Sequence, residues 1–343
     1  MSSTSLSIGL LAPPWVPVPP PAYGGTELVV DQLARELDRL GHRVTLFATR
    51  DSTCRVARAA VSDAPPAQRI GQSVVELDHV MAGYEALAGC DIVHDHTLFG
   101  PAWATARGRD RVVTTCHGPL DGELHDIYLR YGKLLPLVAI SADQAARAPD
   151  IAVDRVIHHG IRPDEYPPGD GDGGYLLFLG RMTPEKGARE AALTARAAGV
   201  PLLLAAKKRE RSECEYFASE VAPLLGGDVQ YVGEADHERK LELLRGARAL
   251  LNPICWPEPF GLVMLEALAC GTPVLSHPAG AAPEIVTHGV TGFLCPDRAA
   301  LLAAVVRLPE LDRAACRREV AERFSTARMA ADHLALYEDL MRR

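Results

Sequence analysis

Short apolar runs of strand length alternate along the chain with longer Ala-, Leu- and Arg-rich stretches whose apolar residues recur at helical spacing. That alternation predicts parallel sheets covered by helices. In the first half it predicts strands at 7–11, 44–48, 92–94, 112–115, 137–140 and 156–158 and a helix at 27–40. Strand, helix and strand, turned at Gly41-His42, make a βαβ opening. The run RPDEYPPGDGDGG at 162–174 then breaks the pattern and is the strongest linker signal in the chain. Beyond it the pattern restarts, with strands at 175–179, 201–205, 229–232, 249–252 and 273–276 and helices at 187–198, 238–246 and 262–269. A last helix is expected over 326–343, its apolar Met329, Leu334, Leu336, Tyr337 and Leu340 sufficient to dock it.

The expected fold class is therefore α/β, with two doubly wound Rossmann-like domains at 1–166 and 174–325. The length of 343 residues agrees with two domains, since one domain takes roughly 100–200 residues. Ligands of open α/β sheets bind at the carboxyl ends of the strands, so two such domains facing each other would bind theirs in the cleft between them.

Composition narrows the partners. Hydrophobic residues at 48% and charged residues at 23% are ordinary for a globular chain. The net charge is −8, and the longest basic run is Lys207-Lys208-Arg209, closed by Glu210. No nucleic-acid groove is expected. Apolar stretches such as 134–140 and 300–306 fall well short of the roughly 20 residues of a membrane span. Met1-Ser2-Ser3-Thr4-Ser5 has no basic leader region, so a cytoplasmic location is expected. Eight cysteines without a C-x-x-C pair read as reduced thiols.

Three motifs carry candidate chemistry. Tyr23-Gly24-Gly25-Thr26-Glu27 follows the first strand and opens a helix, where bare backbone and free N–H groups suit a phosphate; a plain helix capped by Thr26 is the alternative. Gly180-Arg181-Met182-Thr183-Pro184-Glu185-Lys186-Gly187 ends the first strand of the second half, so Arg181 and Lys186 can turn toward one anion. In Glu258-Pro259-Phe260-Gly261-Leu262-Val263-Met264-Leu265-Glu266 the first carboxylate lies in the loop and the second about one turn into a largely apolar helix. Buried there, Glu266 needs a partner.

Taken in order, these motifs, the following Ala269-Cys270-Gly271-Thr272-Pro273-Val274 and Pro283-Glu284-Ile285-Val286 before Gly292-Phe293-Leu294 resemble glycosyltransferase family 4 over the whole chain, most strongly over 175–297. The resemblance implies the GT-B fold, with the last helix crossing back to the N-terminal domain. It also implies a retaining enzyme that moves a hexose, most simply from UDP, to a hydroxyl on a small-molecule or glycan acceptor. The nucleoside diphosphate sugar is then a co-substrate, with no bound cofactor and no metal. By the resemblance Arg181 and Lys186 hold the diphosphate, with Gly180 beside them. Glu266 takes the ribose hydroxyls, and Glu258 the sugar hydroxyls beside the backbone of Phe260, Gly261 and Leu262. Gly24 and Gly25 approach the phosphate, and His117 lies near the donor sugar. A nucleotide-sugar epimerase of the same fold and a non-catalytic nucleotide-sugar-binding protein are the rival readings. Composition suits a bacterial protein of glycan or secondary-metabolite biosynthesis.

The chain departs from the family pattern in places. His159-Gly160-Ile161-Arg162 replaces an Asn-Gly-x-Asp motif, Gly280-Ala281 replaces Gly-Gly, and Ala205-Ala206-Lys207 replaces a glycine-rich turn. The Ala281 change is harmless only where that position does not need positive φ. His94-Asp95-His96 is expected to shape the acceptor side rather than bind metal. The stiff Pro13–Pro21 insert would put Trp15 and Tyr23 where they can stack on an acceptor, a proline-rich peptide ligand being the alternative.

Overall fold

A computed structural model describes residues 5–22, 24–63, 65 and 69–342. The chain divides into two compact units, one of residues 1–160 with 326–343 and one of residues 161–325.

The first unit is built from β1 (Ser7–Leu11), α1 (Gly25–Arg39), β2 (Arg43–Thr49), β3 (Ala57–Ser62), α2 (Ser73–Ala86), β4 (Ile92–Asp95), α3 (Gly100–Ala106), β5 (Val112–Cys116), α4 (His125–Tyr131), β6 (Leu137–Ala139), α5 (Ala142–Ala146) and β7 (Arg155–Val156). Its seven strands are parallel, in the order β3-β2-β1-β4-β5-β6-β7. The order reverses between β1 and β4, the point where such sheets open a crevice at their carboxyl edge. Strands β1, β4, β5 and β6 are buried almost throughout, as strands covered on both faces must be.

The second unit contains β8 (Leu176–Arg181), α6 (Ala188–Ala198), β9 (Leu202–Lys207), α7 (Arg211–Tyr216), β10 (Val229–Gly233), α8 (His237–Gly246), β11 (Ala249–Asn252), α9 (Leu262–Ala269), β12 (Val274–Ser276), α10 (Ala282–Ile285), β13 (Gly292–Leu294), α11 (Arg298–Arg307) and α12 (Arg313–Arg323). Six parallel strands run β10-β9-β8-β11-β12-β13, reversing between β8 and β11. A last helix, α13 (Thr326–Arg342), belongs to the first unit and packs on α1.

Several elements escape the hydrophobic pattern, each for a visible reason. The buried face of α2 includes Glu76 and His79, while Val74, Leu77 and Met81 are exposed, which inverts the usual signal. In α12 only Cys316 and Val320 are buried among basic and acidic residues. Edge strand β3 carries Arg58 and Ser62 among three alanines and a valine, and β7 lies at 155–156 rather than 156–158.

Residues 162–174 fall within the second unit and are fastened there. The N–H groups of Gly169, Gly171 and Gly173 donate to the carbonyls of Cys270, Arg245 and Gly246. Their glycines allow one backbone to lie along another, so the expected linker is a bound strap. All eight cysteines are free thiols. Among the described residues no helix is long and apolar enough to cross a membrane.

Candidate functional site

In the second unit the candidate residues gather where the strand order reverses. Arg181 ends β8, and the loop after it carries Lys186 into α6; the loop after β11 carries Glu258 into α9. Cys255 N–H donates to the Glu185 carbonyl over 2.9 Å, which ties the two loops together. Lys186 and Glu258 form an ion pair, each side chain 15% exposed. The Trp256 indole N–H donates to Glu258 Oε2 at 2.8 Å, and the Lys186 ammonium stands 5.2 Å from the centre of that ring.

Arg181 is held more loosely. Its carboxylate neighbour, Glu185, is 3.9 Å away. Among the described residues its buried Nε and the buried Thr183 Oγ1 of the same loop have no hydrogen-bond partner. Unpartnered buried polar atoms are costly, and two in one short loop mark it as shaped for something besides its own packing. Lys207, the cation opposite Arg181 in the sheet register, instead pairs with Glu210 at 3.0 Å and approaches the buried Glu213 to 3.6 Å.

The helix behind Glu258 is the apolar one the sequence predicts. Met264, Leu265 and 267–269 are buried, Phe260 is buried just ahead of it, and Gly261 enters it with φ 94°. The first-turn N–H groups of such a helix, at Leu262 and beyond, have no carbonyl within it to bind. Gly280 is placed by contact: with φ 58°, a Cβ there would stand 2.3 Å from the Glu258 backbone. The next residue, Ala281, has φ −75°, so the replacement of the family's second glycine is conformationally neutral.

Glu266 has its required partners. It forms an ion pair with Lys240 of α8 and accepts from the Tyr166 hydroxyl at 3.2 Å. Neither partner is legible in the sequence, because they lie 26 and 100 residues away. Trp256 was within reach as the indole two residues before Glu258, but no local rule singles it out.

In the first unit Gly24 precedes α1 in an extended conformation without a side-chain cap, so Thr26 does not cap this helix. Pro20 packs so closely that a Cβ on Gly24 would lie 2.7 Å from it. Gly25 begins the helix. Glu27, buried in its first turn, is pushed up to about 7 by burial. The proline-rich insert is pinned at Val18, whose N–H donates to Ser52 Oγ and whose carbonyl accepts from Thr53 and Cys54, all at 2.9 Å. Trp15 is partly exposed, and Tyr23 lies outside the described residues.

His117 follows β5 and is half-buried, in a cluster with the buried His94, His96, His159 and His333. His96 Nδ1 and His117 Nε2 share a hydrogen bond of 2.9 Å. His159 stacks on His117 with ring centres 5.2 Å apart, and His333 of α13 stands 5.0 Å from His94. His94 bonds the Tyr337 hydroxyl at 2.6 Å and Thr115 Oγ1 at 2.7 Å. Burial and mutual repulsion push His117 down to about 3; burial pushes His333 down to about 4. His94, His96 and His159 also lie well below the ordinary range, from burial and from their neighbours. Asp95 points elsewhere, accepting from Tyr84 at 2.6 Å and from Thr97 at 2.7 Å. Among the described residues no group of three or more His, Cys, Asp or Glu is arranged to hold a metal ion.

Known proteins share this architecture. The profile described as glycosyl transferases group 1 matches residues 167–325, and that of glycosyltransferase family 4 matches residues 23–165. The glycogen synthase of Mycobacterium tuberculosis is 31% identical over 274 residues, covering 71% of this chain and 65% of that enzyme; the chain thus spans just under two thirds of that relative. The D-inositol 3-phosphate glycosyltransferase of Saccharomonospora viridis is 27% identical, covering 93% of this chain and 90% of that one. Among solved structures, AviGT4, a glycosyltransferase involved in avilamycin A biosynthesis, superposes with a TM-score of 0.75 at 26% identity over 98% of both chains. Sucrose-phosphate synthase from Thermosynechococcus elongatus shares the fold, with a TM-score of 0.76 at 24% identity over 98% of this chain and 99% of that one. Two matching profiles that run through both units, and two Rossmann-like sheets of GT-B type carrying the motifs in order, place the chain in glycosyltransferase family 4.

Proposed function

We propose that the protein is a retaining glycosyltransferase that moves a hexose from a nucleoside diphosphate, UDP in the simplest case, to a hydroxyl of a small-molecule or glycan acceptor without a metal ion. The observation that carries this reading is the loop 181–187, where two cations and two unpartnered buried polar atoms meet at the carboxyl edge of the sheet. A diphosphate supplies the acceptors those groups need and draws on both cations.

In this reading Arg181 and Lys186 take up the negative charge that grows on the departing diphosphate. The bond from the anomeric carbon to the phosphate oxygen breaks, and the bond to the acceptor oxygen forms on the same face. The acceptor proton passes to the leaving phosphate, so no general base from the protein is required. Glu258 positions the sugar hydroxyls, beside the backbone of Phe260, Gly261 and Leu262, and Glu266 takes the ribose. Gly180 leaves the diphosphate side of β8 without a side chain. In the first unit Gly24, Gly25 and His117 are the candidates for contact with ligand. A bacterial, cytoplasmic role with a secondary-metabolite or glycan acceptor completes the reading, and the full-length likeness to AviGT4, a glycosyltransferase involved in avilamycin A biosynthesis, supports the secondary-metabolite acceptor.

The test is incubation with a panel of nucleotide sugars, UDP-glucose first, with and without EDTA. Release of nucleoside diphosphate that EDTA does not suppress, and an axial anomeric linkage in the product, agree with the reading. Conversion to the sugar's C2 epimer points to an epimerase instead, and binding without turnover to a non-catalytic protein. Absence of any nucleoside diphosphate binding overturns all three.

A further inference from the structure

The reaction above gives no part to Trp256, yet that side chain touches both members of the central ion pair. Its indole N–H donates to Glu258 Oε2, the same oxygen that Lys186 pairs with, and its ring lies near the Lys186 ammonium. One residue therefore meets the anion through a hydrogen bond and the cation through an aromatic face. Both donors converge on Oε2, and among the described residues no side-chain donor reaches Oε1. The backbone fixes this arrangement. Glu258 N–H closes on the Trp256 carbonyl at 2.9 Å across Pro257, and Ala281 N–H holds the Glu258 carbonyl at 3.0 Å.

An ammonium has three N–H donors, so Lys186 can reach an incoming diphosphate while it still touches Glu258, but the new anion competes for its charge and draws it away from the carboxylate. A largely buried carboxylate that has to share its single donor with a dianion is costly, so a site built from Lys186 and Glu258 alone resists the sharing it has to make. Resting on the reading of the site as a nucleotide-sugar site, we infer that Trp256 is a positioning residue whose indole N–H holds Glu258 Oε2 in place while Lys186 turns to the diphosphate. Oε1 then stays directed toward the hydroxyls of the transferred sugar. A phenyl ring supplies the aromatic face but not this bond.

Trp256→Phe isolates the N–H. The expected result is a loss of about tenfold in kcat with the donor KM changed by less than about threefold, and a melting curve close to that of the wild type. A purely structural role would move melting and KM together, and an unchanged kcat overturns the proposal. A second measurement needs neither turnover nor that variant's folding. The chain has three tryptophans, at 15, 103 and 256, so 15N-indole spectra are simple. Glu258→Gln should displace one of the three indole N–H resonances, and UDP should leave that resonance protected from solvent exchange. Three resonances untouched by Glu258→Gln overturn the role of Trp256, whatever the enzyme turns over. A wild-type protein that binds no nucleotide sugar overturns the reaction instead and leaves the indole result standing by itself.

Discussion

Lys186 and Glu258 pair with each other although 72 residues of sequence separate them. The pair joins the two loops that flank the β8/β11 reversal, and its members have opposite expected fates when a diphosphate arrives. Glu258→Ala should lower turnover by at least about tenfold while nucleoside diphosphate binding persists. Turnover equal to wild type removes Glu258 from the reaction. Lys186→Ala should weaken UDP binding measured by calorimetry, and an unaltered affinity removes the lysine from the diphosphate site.

Glu266 has a cation and a hydroxyl converging on its carboxylate, both from outside its own helix. Lys240→Met should cost about 2–4 kcal/mol in urea unfolding, because it leaves a buried carboxylate with one neutral donor. Tyr166→Phe, which removes the weaker contact, should cost about 1 kcal/mol. Equal losses from the two variants contradict the ranking.

The backbone contact at Gly280 separates it from its neighbour. Gly280→Ala places a Cβ against the Glu258 backbone in a left-handed conformation, so both turnover and melting temperature should fall. Ala281→Gly should leave turnover within about twofold, since that residue already has ordinary helical angles. A harmless Gly280→Ala would mean that the 257–258 turn yields without consequence.

The histidine cluster sets a pH dependence. His117 and His333, together with His79 of α2, have folded values of about 3 to 4, against 6.5 for the free side chain, chiefly from burial. Above pH 6.5 these groups are neutral in both states. Below it the unfolded chain binds protons that the folded chain refuses, so stability falls as pH drops toward 4, by up to about 1.4 kcal/mol per pH unit for each histidine. Urea midpoints at pH 7.5, 6 and 5 test this; a flat profile contradicts it, and His333→Gln should make the slope shallower.

Glu27 acts in the opposite direction. Its folded value of about 7 lies above the ordinary 4.5 because burial disfavours its charge. Stability is therefore lost as pH rises from 4.5 through 7. Glu27→Gln should stabilise the protein at pH 8 by about 1–3 kcal/mol and have little effect at pH 5. A gain of equal size at both pH values would assign the effect to packing.

Much of the fold was legible because apolar runs at strand length report burial directly, as in β1, β8 and β11. Elements whose buried face is polar or whose exposed face is apolar were not, and α2 is the clearest instance. At the candidate site the loop positions of Arg181, Lys186 and Glu258 followed from glycine and proline placement beside strand ends. Burial along α9 required a partner for Glu266 but could not say that Lys240 and Tyr166 supply it, since no local spacing encodes contacts across separate elements. The five histidines are scattered from 94 to 333, and only the meeting of three strand ends with α13 makes them one cluster.

The return of α13 to the first unit has a consequence for synthesis. His333 and Tyr337, which close the histidine cluster against His94, leave the ribosome only after every residue of the second unit. The first unit therefore has to wait with part of its interior open while the second, which is continuous in sequence from 161 to 325, can fold at once. A released chain that stops at residue 325 should thus yield a protease-resistant C-terminal half and a vulnerable N-terminal one, the reverse of the order in which the two are translated.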